Sequence, residues 1–245
     1  MNYISSKTSP EIGNKGFIVN NRFIPTINND IQILNDETTI FMICPKLSNG
    51  QIIDIAKGGW QTPITNEGVV VNSKQEMIFG ENKRLGFTLN KSITEWFVEI
   101  KCVCNDNVSN NFQCVFGNGN YSFRTDIIVN FYKSGYPSGA VWVGGRFTDD
   151  SIKSFYNENN SMMLNKETII GLECKGNYFR LYMNGKYLMT SNINNTTGTP
   201  FNVKQWIGYD DDWRHLLGTV SCVRIRNVAP YQGNDYENDL TRMVK

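Results

Sequence analysis

Histidine is almost missing from this chain: His215 is the single one among 245 residues. Any triad with a histidine base would have to be built on that side chain. It sits close to Trp213 and Leu216, ahead of the final strand, and reads as a packed or surface residue. No segment approaches the roughly 20 consecutive apolar residues that span a bilayer, so membrane insertion is not expected. The first residues, MNYISSKTSPEIGNKG, lack a basic start followed by an apolar run, so a secretory leader is not expected either. Charge of one sign is also lacking. There are 24 Lys and Arg against 23 Asp and Glu, a formal net charge of +1, and no long Lys/Arg cluster. That argues against nucleic-acid binding driven by a basic field. The six cysteines are Cys44, Cys102, Cys104, Cys114, Cys174 and Cys222. They lack C-x-x-C spacing and fall mostly at inward-looking strand positions, which reads as reduced, buried thiols. Cys102 and Cys104 share a strand face, but no further metal ligands converge on them in the sequence. Nucleophile-elbow, Walker-type and zinc-binding patterns are absent.

What is present is β-structure. A chain of this length can bury roughly 70–75% of its unfolded surface and needs no disulfide or metal staple. Residues 167–230 form its organising stretch. Gly176-Asn177 separates residues 168–175 from 178–183, and Asn184-Gly185 separates those from 186–190. Two-residue Gly-Asn and Asn-Gly links suit the primed turns whose twist matches antiparallel strands, so the stretch reads as a β-meander of fixed register.

Its parts follow in the order L-Y-M-N-G-K, W-I-G-Y, then G-T-V-S-C-V-R-I-R-N. Tyr182, Asn184, Gly185, Ile207, Gly208, Gly218, Val220, Val223, Arg224, Ile225 and Asn227 thereby fall on a pattern that resembles the closing third of laminin-G-like, concanavalin A-like lectin-glucanase jelly rolls. The resemblance implies an antiparallel β-sandwich closed by the last strand. The chain departs from that family at Ser221 and Cys222, where it often carries two acids, and at Arg226, where it has Tyr.

Elsewhere the pattern agrees. Residues 94–104 alternate, with Trp96, Val98, Ile100, Cys102 and Cys104 on one face and Glu99 and Lys101 beside Phe97 and Val103 on the other. That predicts one buried and one partly solvated face. Short strands are expected within residues 38–47, 68–72, 76–79, 84–89, 112–117, 126–132 and 140–147. Residues 148–161 read as a helical turn or a long surface loop. No helix-length periodic segment occurs. The fold class is therefore all-β, an antiparallel β-sandwich (concanavalin A-like jelly roll) with an extended N-terminal arm. We divide it into an arm at 1–37, the laminin-G-like jelly roll at 38–230 and a polar tail at 231–245. A small hairpin around Asn20-Asn21 is expected in the arm, which packs on its own sandwich or on a neighbouring subunit.

The resembled fold also hosts glycosidases, whose chemistry requires a carboxylate pair. Retaining cleavage needs the two groups about 5–5.5 Å apart and inverting cleavage about 6.5–9.5 Å. Glu95 and Glu99, four apart on one strand, stand about 13 Å apart, which is too far. Glu237 and Asp239 have suitable spacing but sit in the tail. Binding fits better. A sugar site pairs an aromatic platform with planar polar side chains, and the loop Tyr209, Asp210, Asp211, Asp212, Trp213, Arg214 holds both. Trp60 and Tyr136 are further loop aromatics. Trp206 and Trp213 also read as caps on the core. No cofactor is expected. Calcium is a weak alternative, with Asp210, Asp212, Asp149 and Asp150 as oxygen donors. The leading reading is a non-enzymatic binding or assembly module. The associational choice is a bacteriophage virion surface protein: a capsid auxiliary, a fibre-associated protein or a tail component. Its partners would be other virion or surface proteins met through the arm, cell-surface glycans, or further copies of itself as a homo-oligomer. A free or cell-surface lectin is the alternative, and a glycoside hydrolase the third.

Overall fold

The computed structural model describes residues 16–19, 22–25, 35–58, 61–90, 93–105, 112–117, 128–132, 141–146, 152–156, 164–192, 201, 203–209, 214–237 and 240. Its named elements among the described residues, β1 to β17, are strands, and they pair antiparallel. The expected hairpin in the arm is there. β1 (Gly16–Val19) pairs with β2 (Arg22–Pro25) as a two-stranded sheet of its own.

One large sheet runs, in spatial order, β15 (Lys186–Asn192), β14 (Tyr178–Met183), β13 (Glu167–Lys175), β8 (Glu95–Cys104), β17 (Gly218–Arg226), β6 (Met77–Phe79) and β5 (Val70–Val71). β3 (Thr39–Ile43) lies end to end with β6, because β17 pairs with β6 through Gly218–Val220 and with β3 through Val223–Arg226. The second sheet runs β12 (Ile152–Tyr156), β11 (Val141–Arg146), β10 (Ile128–Tyr132), β9 (Phe112–Gly117), β16 (Gln205–Ile207), β7 (Arg84–Phe87) and β4 (Thr65–Glu67). β12 falls where a loop or helical turn was expected. It is a strand through its pairing with β11, from Trp142↔Tyr156 to Arg146↔Ile152, which local sequence does not announce.

Both meander turns have the expected form. Asn184 (φ 51°) and Gly185 (φ 81°) are both left-handed, as a type I′ turn requires. At the other turn only Gly176 (φ 56°) is, as in type II′. Asn184 also locks its turn to the neighbouring strand. Its backbone N–H donates to Ile169 O, and its side-chain oxygen accepts from Ile169 N, both at 2.8 Å.

The core lies between the sheets. Trp96, Val98, Ile100, Cys102 and Cys104 of β8, with Val220, Val223 and Ile225 of β17, meet Leu85 and Phe87 of β7, Phe116 of β9 and Ile207 of β16 in one buried cluster. Phe41 stacks on Phe87 across this layer at 3.9 Å between centroids. The glycines of the closing pattern are places of close approach. A Cβ on Gly208 (φ +82°) would overlap the Phe79 ring, and one on Gly218 would overlap the Val103 carbonyl oxygen. The two-sheet packing makes this an all-β antiparallel sandwich.

The second face of β8 differs from expectation. Glu99 and Lys101 are 0% and 2% exposed rather than partly solvated. Residues 231–236 lie across that face. Tyr231 and Tyr236 stack on each other at 4.0 Å and meet Phe97 and Tyr182 edge-on. Further along, Met42, Cys44, Ile169, Cys222 and Leu240 form a second apolar cluster.

Candidate functional site

The site is built on a swap of large for small across two strands. Register puts Trp206 of β16 opposite Gly86 of β7. A Cβ on Gly86 would lie 2.7 Å from the Trp206 ring and 2.5 Å from Lys204 Cε, so the missing side chain is what lets the indole and the lysine stem lie over the strand. Leu85 and Phe87 point inward, so by the two-residue period of a strand Arg84 shares the outer face with Gly86. Its guanidinium carbon stands 4.5 Å from the Trp206 ring centroid and 4.3 Å from that of Tyr209. Lys204 Nζ is 4.0 Å from the Trp206 centroid. Such contacts between cation and ring contribute about 0.5–1 kcal/mol at exposed positions. Glu67 of β4 anchors the guanidinium, accepting from Arg84 Nε at 2.6 Å.

Tyr209 and His215 form the neck of the next loop. They make an isolated antiparallel bridge, and their rings stack at 4.9 Å. Leu216 N donates to Gly208 O at 3.0 Å, and Gly208 N to Val115 O at 2.9 Å, which pins the neck to β9. The result is a rim patch of Trp206, Tyr209 and His215 with Arg84, Lys204 and Glu67. Trp206 is buried, while Tyr209 and His215 are half-buried. Burial alone would lower the Arg84 pKa, but Glu67 and Tyr209 outweigh it and hold the guanidinium above its ordinary value.

Of the residues expected from sequence, Tyr209 lies in this patch, and Arg214 follows it in the chain, 7% exposed. Asp210, Asp211, Asp212 and Trp213 lie outside the described residues, between the two pinned ends of the loop. Trp60, Tyr136, Asp149 and Asp150 also lie outside them. Among the described residues no group of three His, Cys, Asp or Glu is placed to hold a metal ion, and no helix is long and apolar enough to cross a membrane. Arg84 and Glu67 escape a sequence reading because only the β7–β16 and β4–β7 registers bring them to Trp206, while Lys204 stands two residues before Trp206 in the chain. The available signal is Gly86, a glycine inside a strand.

The structure also brings together two carboxylates that a single-strand search misses. Glu99 on β8 and Glu173 on β13 share the outer face of the other sheet, with Glu99 opposite Gly171, two residues from Glu173. Both are 0% exposed and fully engaged. Arg224 Nε donates to Glu99 at 2.8 Å, and Tyr236 OH donates to it at 3.0 Å. Glu173 accepts from Tyr182 OH at 2.9 Å, Tyr231 N at 2.8 Å and Gln232 N at 2.9 Å. Burial, reinforced by these carboxylates, pushes the Tyr182 and Tyr236 hydroxyls up, so both remain donors. The chain itself fills this constellation, which fastens the tail.

No protein-family model matches the chain, and no curated protein is similar to it in sequence. Solved structures are similar. The botulinum neurotoxin serotype D binding domain superposes with a TM-score of 0.63 at 12% identity, over 85% of this chain and 50% of that one. The binding domain of botulinum neurotoxin DC in complex with SialylT gives 0.62 at 13% identity, over 86% and 52%. A botulinum neurotoxin type C structure, described as showing cell entry dependent on interaction with two ganglioside molecules, gives 0.62 at 15%, over 87% and 52%. The chain spans about half the length of each structure it matches, and at these identities the likeness shows the fold.

Proposed function

We propose that this chain is a non-enzymatic recognition module of lectin-like fold that binds carbohydrate at the rim formed by Tyr209, His215, Trp206, Arg84 and the loop 210–214. The observation that carries the proposal is the pinned Tyr209–His215 stack beside Arg84 and Lys204: half-buried aromatic surface at the neck of the loop meets a sugar, and charged donors beside it meet its hydroxyls. The buried commitment of Glu99 and Glu173 to the tail supports binding over hydrolysis, since neither carboxylate is open to a glycosidic bond. Binding to SialylT and to gangliosides by proteins of this fold is further support.

Two finer readings belong to the same proposal. The closing pattern from Tyr182 to Asn227 makes the sandwich a laminin-G-like jelly roll. The arm at 1–37 docks the module on a virion surface, supported by the β1–β2 hairpin, which among the described residues pairs only with itself. Residues 35–37 are tied to the sandwich, with Asn35 Nδ2 donating to Ile55 O at 2.5 Å and Arg226 donating to Asp36 at 3.0 Å, so deleting residues 1–34 then leaves a folded sandwich that fails to assemble, whereas a truncated chain that aggregates or melts much earlier counts against docking.

The functional test is a glycan array with the wild-type chain and Trp213→Ala, with and without calcium. Selective binding that the substitution abolishes supports recognition through the rim loop, and a calcium requirement lost in Asp210→Ala or Asp212→Ala but kept in Asp149→Ala and Asp150→Ala assigns that loop the ligand role. A blank array for the wild-type chain overturns the carbohydrate reading and leaves a structural decoration module.

A further inference from the structure

We propose that Cys44 and Cys222 are a built cross-strand thiol pair that closes into a disulfide, tying β3 to the closing strand β17, when the chain folds in the presence of a small-molecule disulfide. The inference is independent of the carbohydrate reading.

The register carries it. Val223 pairs with Ile43 and Arg224 with Met42, so the next step places Cys222 directly opposite Cys44. The type of pair follows from the backbone. Met42 turns both polar groups away from β17: its N–H donates to Asp54 Oδ1 at 3.0 Å, and its carbonyl accepts from Ile55 N at 2.8 Å. Positions 42 and 224 are therefore a non-hydrogen-bonded pair, and two residues on so are 44 and 222. The Cys44 carbonyl likewise bonds elsewhere, accepting from Leu47 N at 2.9 Å. In such pairs the Cα atoms approach to about 4.5 Å, within the roughly 4.4–6.8 Å range of disulfides.

The side chains agree. Both cysteines are 0% exposed and face the same small cluster of Met42, Ile169 and Leu240. Their thiols lie near enough to interact. That contact, offsetting burial, holds Cys44 below the ordinary thiol range, while the same contact and burial push Cys222 up. Cys104 also has thiol neighbours, Cys102 beside it and Cys114 on β9, but no strand register sets either opposite it. Cys102 and Cys104 are neighbours on one face of β8, where the strand backbone holds their Cα atoms roughly 6.5–7 Å apart and side by side rather than opposed. Cys174 stands apart, its thiol pushed up to about 12 by burial.

The chemistry balances with oxidised glutathione as the oxidant. The Cys44 thiolate attacks one sulfur of that disulfide and expels a glutathione thiolate. The Cys222 thiolate then attacks the Cys44 sulfur of the mixed disulfide and expels the second. Two protein thiols have given up two protons and two electrons, and one glutathione disulfide has become two thiols.

The test refolds the full chain from its reduced, unfolded state in a glutathione redox buffer and maps the cysteines by non-reducing peptide mass spectrometry. We expect one linked peptide pair, Cys44 with Cys222, and four free thiols. A Tm higher by at least about 5 °C should disappear on reduction, because the bond closes a loop of most of the chain. In Cys44→Ala the oxidant-dependent rise should vanish. A different linked pair, six free thiols, glutathione left on Cys44, or a linked form that melts below the reduced one would each overturn the proposal. The wild-type map decides even if Cys44→Ala does not fold.

Discussion

Replacing Glu99 by Gln tests the account of the tail most severely. The side chain keeps its shape and its acceptor for Tyr236 OH, but Arg224, 1% exposed, loses the carboxylate that offsets its buried charge. Removing one member of a buried ion pair costs about 3–5 kcal/mol. In a chain of this size about 1 kcal/mol moves Tm by roughly 2–4 °C, so Tm should fall by about 6–20 °C. Hydrogen exchange should show Tyr231, Gln232 and Gly233 losing protection with it, since their amides bond Glu173 and Tyr182 in the same layer. Adding Arg224→Met removes the stranded charge, and the double variant should recover to within about 2 kcal/mol of wild type. A Glu99→Gln variant that unfolds in denaturant within about 1 kcal/mol of wild type, with the tail still protected, would refute the reasoning.

Other expectations follow from the same contacts. Gly218→Ala drives a methyl into the Val103 carbonyl and should cost at least about 3 kcal/mol in chemical denaturation or prevent folding; a cost near that of an exposed strand glycine would contradict the close approach. Asn184→Ala loses the side-chain bond to Ile169 N and the tolerance for φ 51°, so a loss of about 1–3 kcal/mol is expected. Burial raises the Asp36 carboxyl, but the Thr38 hydroxyl, Arg226, the Thr38 amide and Arg224 outweigh it and hold the group below its ordinary 3.8. Its stabilisation is therefore complete above that value and lost as pH falls below it through the folded-state pKa. Asp36→Asn should flatten that part of the stability profile, and an unchanged acid limb would show that Asp36 contributes nothing there.

Much of the fold was legible because its signals are local. Asn184-Gly185 and Gly176-Asn177 fix two hairpins within a few residues of each strand, and the alternation from Trp96 to Cys104 names the inner face of β8 without knowledge of any neighbour. The burial of Glu99 and Lys101 was not legible. Their polarity reads as solvent exposure, but Glu99 is met by Tyr236, more than a hundred residues downstream, and Lys101 pairs with Glu167 of the neighbouring strand. β12 was missed for a related reason, since Ile152–Tyr156 is a strand only through its pairing with β11. At the rim, Tyr209 could be singled out as an aromatic beside a polar loop. Arg84 could not, because its approach to Trp206 depends on the facing of Gly86 and Trp206 across two strands that the sequence holds far apart.

His215 makes the central claim directly measurable. It is the single histidine of the chain and stacks on Tyr209 in the proposed site, so its imidazole proton gives one resolved reporter in an NMR titration with a glycan selected from the array. The account predicts a saturable shift of that resonance, following the binding isotherm and lost in Tyr209→Ala. Saturation of the protein by the same glycan with the His215 resonance unmoved would contradict it and place recognition elsewhere on the sandwich.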